Sequence, residues 1–175
     1  MLDEVSLMPA YAHHLGSQRR QMMLLEAEIG ATEVELDRRL KHQPEYRNLQ
    51  KIKGIGPVLA AVLFAEIGDI TRFAGPDQLA CWAGLTPRHY ASDRTTRRGH
   101  ISKEGSVLVR WAVVEAVQRP CEPSVRSLRE RILARRGPRG RNIAKVAAAH
   151  RMLDIVFYTL RDGNCRALAD TQDAA

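Results

Sequence analysis

Met8, Leu15, Met22, Ile29 and Leu36 recur every seven residues, and Tyr11 and Leu25 take the companion position three residues on. A seven-residue apolar period held this long fits a helix that buries one seam, because the faces of a strand alternate every second residue. The spacing predicts a coiled-coil oligomerisation helix within residues 1–44. Gln18, Thr32 and Arg39 break the companion series, and Gly16 and Gly30 weaken the helix. The seam therefore needs a partner, either a second chain, giving at least a homodimer, or a helix upstream. Pro44 interrupts the pattern, since its ring cannot continue an interior turn.

Beyond Pro44 the texture changes, and residues 45–165 read as one compact helical domain, with 166–175 a flexible tail. Leu49 and Ile52 end a short helix, Gly54-Ile55-Gly56 makes a tight turn, and Pro57 opens the next helix at the position that favours proline. This pattern matches a helix-hairpin-helix. Gly54 and Gly56 would let the backbone amides at a helix start approach a phosphate, assisted by the helix dipole; a plain packing corner is the alternative. Further helices are expected from Asp77 to Trp82, Ser106 to Gln118, Ser124 to Arg135 and Ile143 to Leu160. Ser106–Gln118 is apolar nearly all round, which predicts burial. No alternating strands stand out, so the fold class is all-α.

Charge narrows the function. The chain carries +7, yet Gly84–Arg110 alone holds +4 and Arg126–Arg151 holds +8, so the remainder is net acidic. Two basic patches on an otherwise acidic chain point to a polyanion, above all a nucleic acid; an anionic membrane surface and simple solubility are the other readings. In the first patch Arg88, Arg94, Arg97, Arg98, Lys103 and Arg110 outnumber Asp93 and Glu104 around Ser92. A polar basic loop of this kind can hold a phosphate beside a hydroxyl.

Cys81, Cys121 and Cys165 are odd in number and far apart, which reads as reduced thiols of a cytoplasmic protein. No apolar run reaches the roughly 18 residues of a membrane span, and the start lacks the basic-then-apolar order of a signal peptide. Glu66, Asp69, Asp154 and Asp162 are scattered, and His89 and His100 lack ligand spacing, so no metal site and no bound cofactor are expected. Either histidine is a phosphate hydrogen-bonder, a proton shuttle or a bystander. Arg110, inside an apolar helix, needs partners. Those are Glu115 or Glu66, or the serine loop.

The succession GIGPVLAAVLFAEIGDITRF, CWAGLTPR, a serine-containing loop and RRGHISKEGSVLVRWAVVEA resembles the C-terminal domain of IS110 (IS116/IS902) insertion-sequence transposases. The likeness runs in order over roughly residues 45–165, and the preceding coiled-coil stretch and RMLDIVFYTLRDG are similar to the flanks of that domain. In that family a RuvC-like domain with an Asp-Glu-Asp-Asp metal site precedes the coiled coil, and the C-terminal domain contributes a catalytic serine. The resemblance places that serine at Ser92, implies DNA and a guide (bridge) RNA as partners, and assigns Mg²⁺ to the absent RuvC-like domain. Asp93 stands where the family has glycine, putting a negative charge beside the phosphate, and Val109 stands where leucine is usual. Without the metal domain the chain alone is expected to lack strand-transfer activity.

On the residues alone Ser92 is a solvated loop serine; the role that the resemblance implies for it follows a general chemical logic. A hydroxyl that attacks a phosphodiester keeps the bond energy in a phosphoserine, and nearby arginines can neutralise the phosphoryl oxygens. Ser102 and Ser106 compete with Ser92, but Ser106 reads as a helix N-cap and Ser102 as part of the turn. A non-catalytic DNA-binding module and a helical oligomerisation protein remain the alternative functions.

Overall fold

The computed structural model describes residues 9–92 and 95–165; the side chains of residues 9, 10 and 89–98 are outside that description. Two compact units divide the chain, Met1–Arg39 and Leu40–Ala175. The first is essentially helix α1, Pro9–Leu40, unbroken by Gly16 or Gly30. Its Leu15, Met22, Leu25 and Ile29 are all exposed. Near its C-terminal end Glu35 accepts from Arg38 Nε at 2.7 Å and Arg39 Nε at 2.7 Å.

Those two guanidiniums, Arg38 first, hold the exposed Glu35 carboxyl down at about 2 against an ordinary 4.5. A carboxyl lowered on folding adds support that is complete above the ordinary value and is lost as pH falls through the folded one. NMR titration of Glu35 should therefore show a midpoint near 2, returning toward 4.5 in an Arg38→Gln, Arg39→Gln double variant.

In the second unit, prolines mark most helix starts. Helices α2 (Pro44–Gln50), α3 (Pro57–Ile67), α4 (Pro76–Trp82) and α6 (Pro123–Arg136) each begin on one. Proline is suited to a first turn, where its missing N–H has no intrahelical partner to lose. Helix α5 spans Val107–Ala116, and α7 spans Arg141–Asp162 and closes on a left-handed Gly163. Short 3₁₀ turns fill Ile70–Arg72 and Gly137–Gly140.

Helix α7 is the hub, touching α2, α4, α5 and α6, while α3 packs on α5. Met152, Leu153, Val156 and Phe157 of α7 meet a core that includes Tyr46, Leu49, Leu63, Leu79, Val109 and Val113, all essentially inaccessible to solvent. Polar bonds join the helix ends: Asn48 Nδ2 donates to the Gly163 carbonyl at 2.8 Å, and Arg129 donates to the Val117 carbonyl at 2.6 Å. No described helix is long and apolar enough to cross a membrane.

The all-α class holds, with one addition and one correction. The addition is a two-stranded antiparallel hairpin of β1 (Pro87–Ser92) and β2 (Thr95–Ile101), in the segment read from sequence as a loop. The correction concerns α5, expected to be buried all round. Val109, Ala112, Val113 and Ala116 are buried, but Val107, Leu108 and Trp111 are exposed. Composition could not separate these two faces, because both are apolar.

Candidate nucleic-acid interface

The basic segment owes its shape to backbone pairing. Ser92 pairs with Thr95, Ala91 with Thr96, Tyr90 with Arg97 and His89 with Arg98. The register then shifts, so that Gly99 and His100 together oppose Arg88 before Pro87 meets Ile101. An extra residue on one strand is a bulge, which bends the strand and increases its twist. Ser92 thus occupies the end of β1, last of the paired residues before positions 93 and 94. Asp93 and Arg94 lie outside the described residues, as do the side chains of Ser92, Arg97 and Arg98.

Below the bulge the ladder continues into the foot of the hairpin. Ser102 N–H donates to the Thr86 carbonyl at 2.9 Å, and Lys103 N–H to the Gly84 carbonyl at 3.0 Å. Lys103 has φ 57°, a left-handed conformation uncommon outside glycine and asparagine, which turns the chain out of β2. Gly84 (φ 70°) and Gly105 (φ 78°) lock the foot in place. A Cβ on Gly84 would collide with the Glu104 backbone, and one on Gly105 with the Trp82 carbonyl. Both residues therefore have to be glycine, on conformation and on space.

Arg110 completes the foot. Its guanidinium donates to the Ala83 carbonyl at 2.8 Å and the Glu104 carbonyl at 3.4 Å, on either side of the hairpin. Neither Glu115 nor Glu66 is its partner; Glu66 instead accepts from Ser106 Oγ at 2.7 Å. Ser106 also caps α5, accepting from Val109 N–H at 3.1 Å, in agreement with its reading as an N-cap. Arg88 reaches back to the Ser102 carbonyl at 3.3 Å and to the Glu104 carboxylate at 3.0 Å. That ion pair is open to solvent on both sides, so it leaves Arg88 available to exchange partners.

An apolar groove of about 760 Å³ separates the hairpin foot, at Leu85, Pro87 and Ile101, from Leu128 of α6 and Ile143 and Val146 of α7. Arg151 and His150 of α7 also line it.

The glycine turn between α2 and α3 sits elsewhere on the second unit. A Cβ on Gly54 would come within 2.8 Å of the Ala116 carbonyl and 3.4 Å of Cys121 Cβ, so this glycine permits close packing on the end of α5. Gly56, the N-cap of α3, has open space where a Cβ would be. The neighbouring Lys53 N–H is already taken, donating at 2.8 Å to the carboxylate of the buried Glu122. Gly54 is half-buried and Gly56 exposed.

The acidic residues have local occupations. Asp69 accepts from Thr71 N–H and Oγ1, both at 2.8 Å, and Asp154 pairs with Arg151 at 3.3 Å. Among the described residues no three His, Cys, Asp or Glu side chains converge. Cys121 is buried, and desolvation pushes its thiol up, which leaves it a poor nucleophile.

Residues 46–130 match the model of the transposase IS116/IS110/IS902 family. Over 171 residues the chain is 29% identical to a probable family 20 transposase of Pseudomonas aeruginosa, covering 94% of this chain and 50% of that protein. It is 28% identical over 163 residues to the transposase for insertion sequence element IS1111A of Coxiella burnetii, covering 90% and 44%. An uncharacterised 43.6 kDa protein of insertion element IS110 in Streptomyces coelicolor is 28% identical over 159 residues, covering 90% and 37%. The chain thus spans about half or less of the length of these relatives.

Proposed function

We propose that the chain is a member of the IS116/IS110/IS902 transposase family, which its similarities support, and that it is the part of a transposase that grips nucleic acid and presents a serine nucleophile. The observation that carries this reading is the basic hairpin. Its foot is fixed by Gly84, Gly105 and Arg110, and Ser92 is the last paired residue of β1.

DNA is the substrate and a guide RNA a further partner. In the reaction the Ser92 Oγ–P bond forms as the bond from phosphorus to the departing strand oxygen breaks. The hydroxyl proton passes to a base or to solvent, and the departing oxygen becomes a strand end. The phosphoserine keeps the phosphoryl group activated, so a second strand end can reverse the step without an external energy source. Arg94, Arg97, Arg98 and Lys103, with Arg88 once released from Glu104, neutralise charge on the phosphoryl oxygens. The exposed seam of α1 serves a coiled coil with a second chain.

Activity requires the acidic domain that the resemblance places upstream. Mixing this chain with that domain, Mg²⁺ and labelled duplex should give a protein–DNA species stable to detergent. Ser92→Ala should abolish it while leaving duplex binding intact; an adduct that survives the substitution would place the nucleophile elsewhere. Binding by the wild type with no adduct under any of these conditions would favour a non-catalytic binding module, a reading to which Asp93 gives weight.

A further inference from the structure

We propose that the corner where α6 turns into α7 is a second phosphodiester-binding surface, contacted through Arg131, Arg135, Arg136, Arg139 and Arg141. This rests on the reading of the chain as a nucleic-acid-binding part of a transposase. It adds a division that the sequence does not contain, between basic residues that hold the fold and basic residues that face a partner.

Nine Arg and Lys lie between Arg126 and Arg151. Four have partners within the fold. Arg126 faces Glu130 at 3.8 Å, Arg129 donates to the Val117 carbonyl at 2.6 Å, Lys145 donates to Gln118 Oε1 at 3.0 Å, and Arg151 meets Asp154 at 3.3 Å. The other five are exposed, and their side chains form no ion pair or hydrogen bond with described residues. They fall within eleven consecutive positions.

Local geometry gathers them. Arg131 and Arg135 are one helical turn apart on α6, so they share a face. Gly140 is buried, and a Cβ there would come within 2.6 Å of Arg136 Cβ, so the chain folds back tightly on the end of α6. That closure sets Arg141, the first residue of α7, beside Arg136, with Arg139 in the 3₁₀ turn between them. Helix C-termini favour cations, which accounts for Arg135 and Arg136 without any ligand. It does not account for Arg139 and Arg141, which sit at the positive end of a 22-residue helix whose first turn contains no acid. Like charges gathered against a helix dipole are relieved by an anion with several charges in a row. A phosphodiester backbone supplies that pattern.

The test is the salt dependence of binding to a duplex DNA and to an RNA hairpin. Each phosphate neutralised on duplex DNA contributes about 0.9 to the slope of log K against log salt. Replacing all five arginines by glutamine should lower the magnitude of that slope by about 4, if most of the five make contact. Replacing all five by lysine keeps the charges and should restore most of the slope, which separates loss of contact from loss of fold. Arg129→Gln should lower thermal stability and leave the slope unchanged. A changed slope with DNA alone assigns the corner to DNA, and with RNA alone to RNA. Wild-type binding whose slope the five glutamines leave unchanged on both ligands overturns the corner, while failure of the wild type to bind at low salt overturns the functional reading itself.

Discussion

Replacing Gly105 by alanine should destabilise the second unit by about 3 kcal/mol or more, far beyond the effect of alanine at a left-handed glycine with open space around it. Two costs combine at this position. A left-handed conformation costs a residue with a Cβ about 1–2 kcal/mol. The new methyl also meets the Trp82 carbonyl, a backbone atom that cannot rotate away, and moving it disturbs α4 and the turn into β1. Gly84→Ala should behave likewise, because its obstruction is the Glu104 backbone. Gly163 gives the internal control: its φ is 69°, but nothing lies within 4 Å of where a Cβ would be. Gly163→Ala should therefore show only the conformational cost. Urea unfolding of the three variants decides the matter. Equal losses at Gly105 and Gly163 would show that the foot of the hairpin is not held as described.

The second large effect belongs to Arg110. Sequence alone left this residue between pairing with an acid and reaching the serine segment. In the fold its guanidinium joins the Ala83 and Glu104 carbonyls, so Arg110→Met strips the carbonyl of the buried Ala83 of its donor. Leaving such a group unsatisfied costs about 1–3 kcal/mol. Arg110→Lys should recover only part of this, because an ammonium cannot reproduce the planar fork. Both variants should unfold at lower urea, yet keep the wild-type salt slope for nucleic acid once folded. A lost increment of slope with unchanged stability would instead make Arg110 a phosphate ligand.

Much of the helical framework was legible in the residues because its signals are local. Pro44, Pro57, Pro76 and Pro123 sit at helix starts, and Gly163 closes α7. Ser106 announced its own cap. The hairpin was not legible, since PRHYAS and TTRRGHI carry no alternating apolar face and their pairing is made by the backbone. Tyr90, Thr95 and Thr96 were the available hint, being residue types that favour strands. The foot was hidden for a different reason. The roles of Gly84, Gly105 and Arg110 depend on carbonyls at positions 82, 83 and 104, which chain folding brings together and no spacing rule connects. Gly54 likewise differs from Gly56 through its positive φ of 103° and the end of α5 that lies against it. Net charge reveals that Arg126–Arg151 is basic, but only side-chain partners divide its cations into two kinds.

The position of the covalent bond to DNA tests the central claim most directly. An adduct formed with the acidic domain and Mg²⁺ can be digested with nuclease and protease and its peptides weighed. The account predicts a nucleotide phosphate on the peptide containing Ser92, with the modification on that residue. The same mass on Ser102 or Ser106 would contradict it, because those serines belong to the foot of the hairpin and the cap of α5.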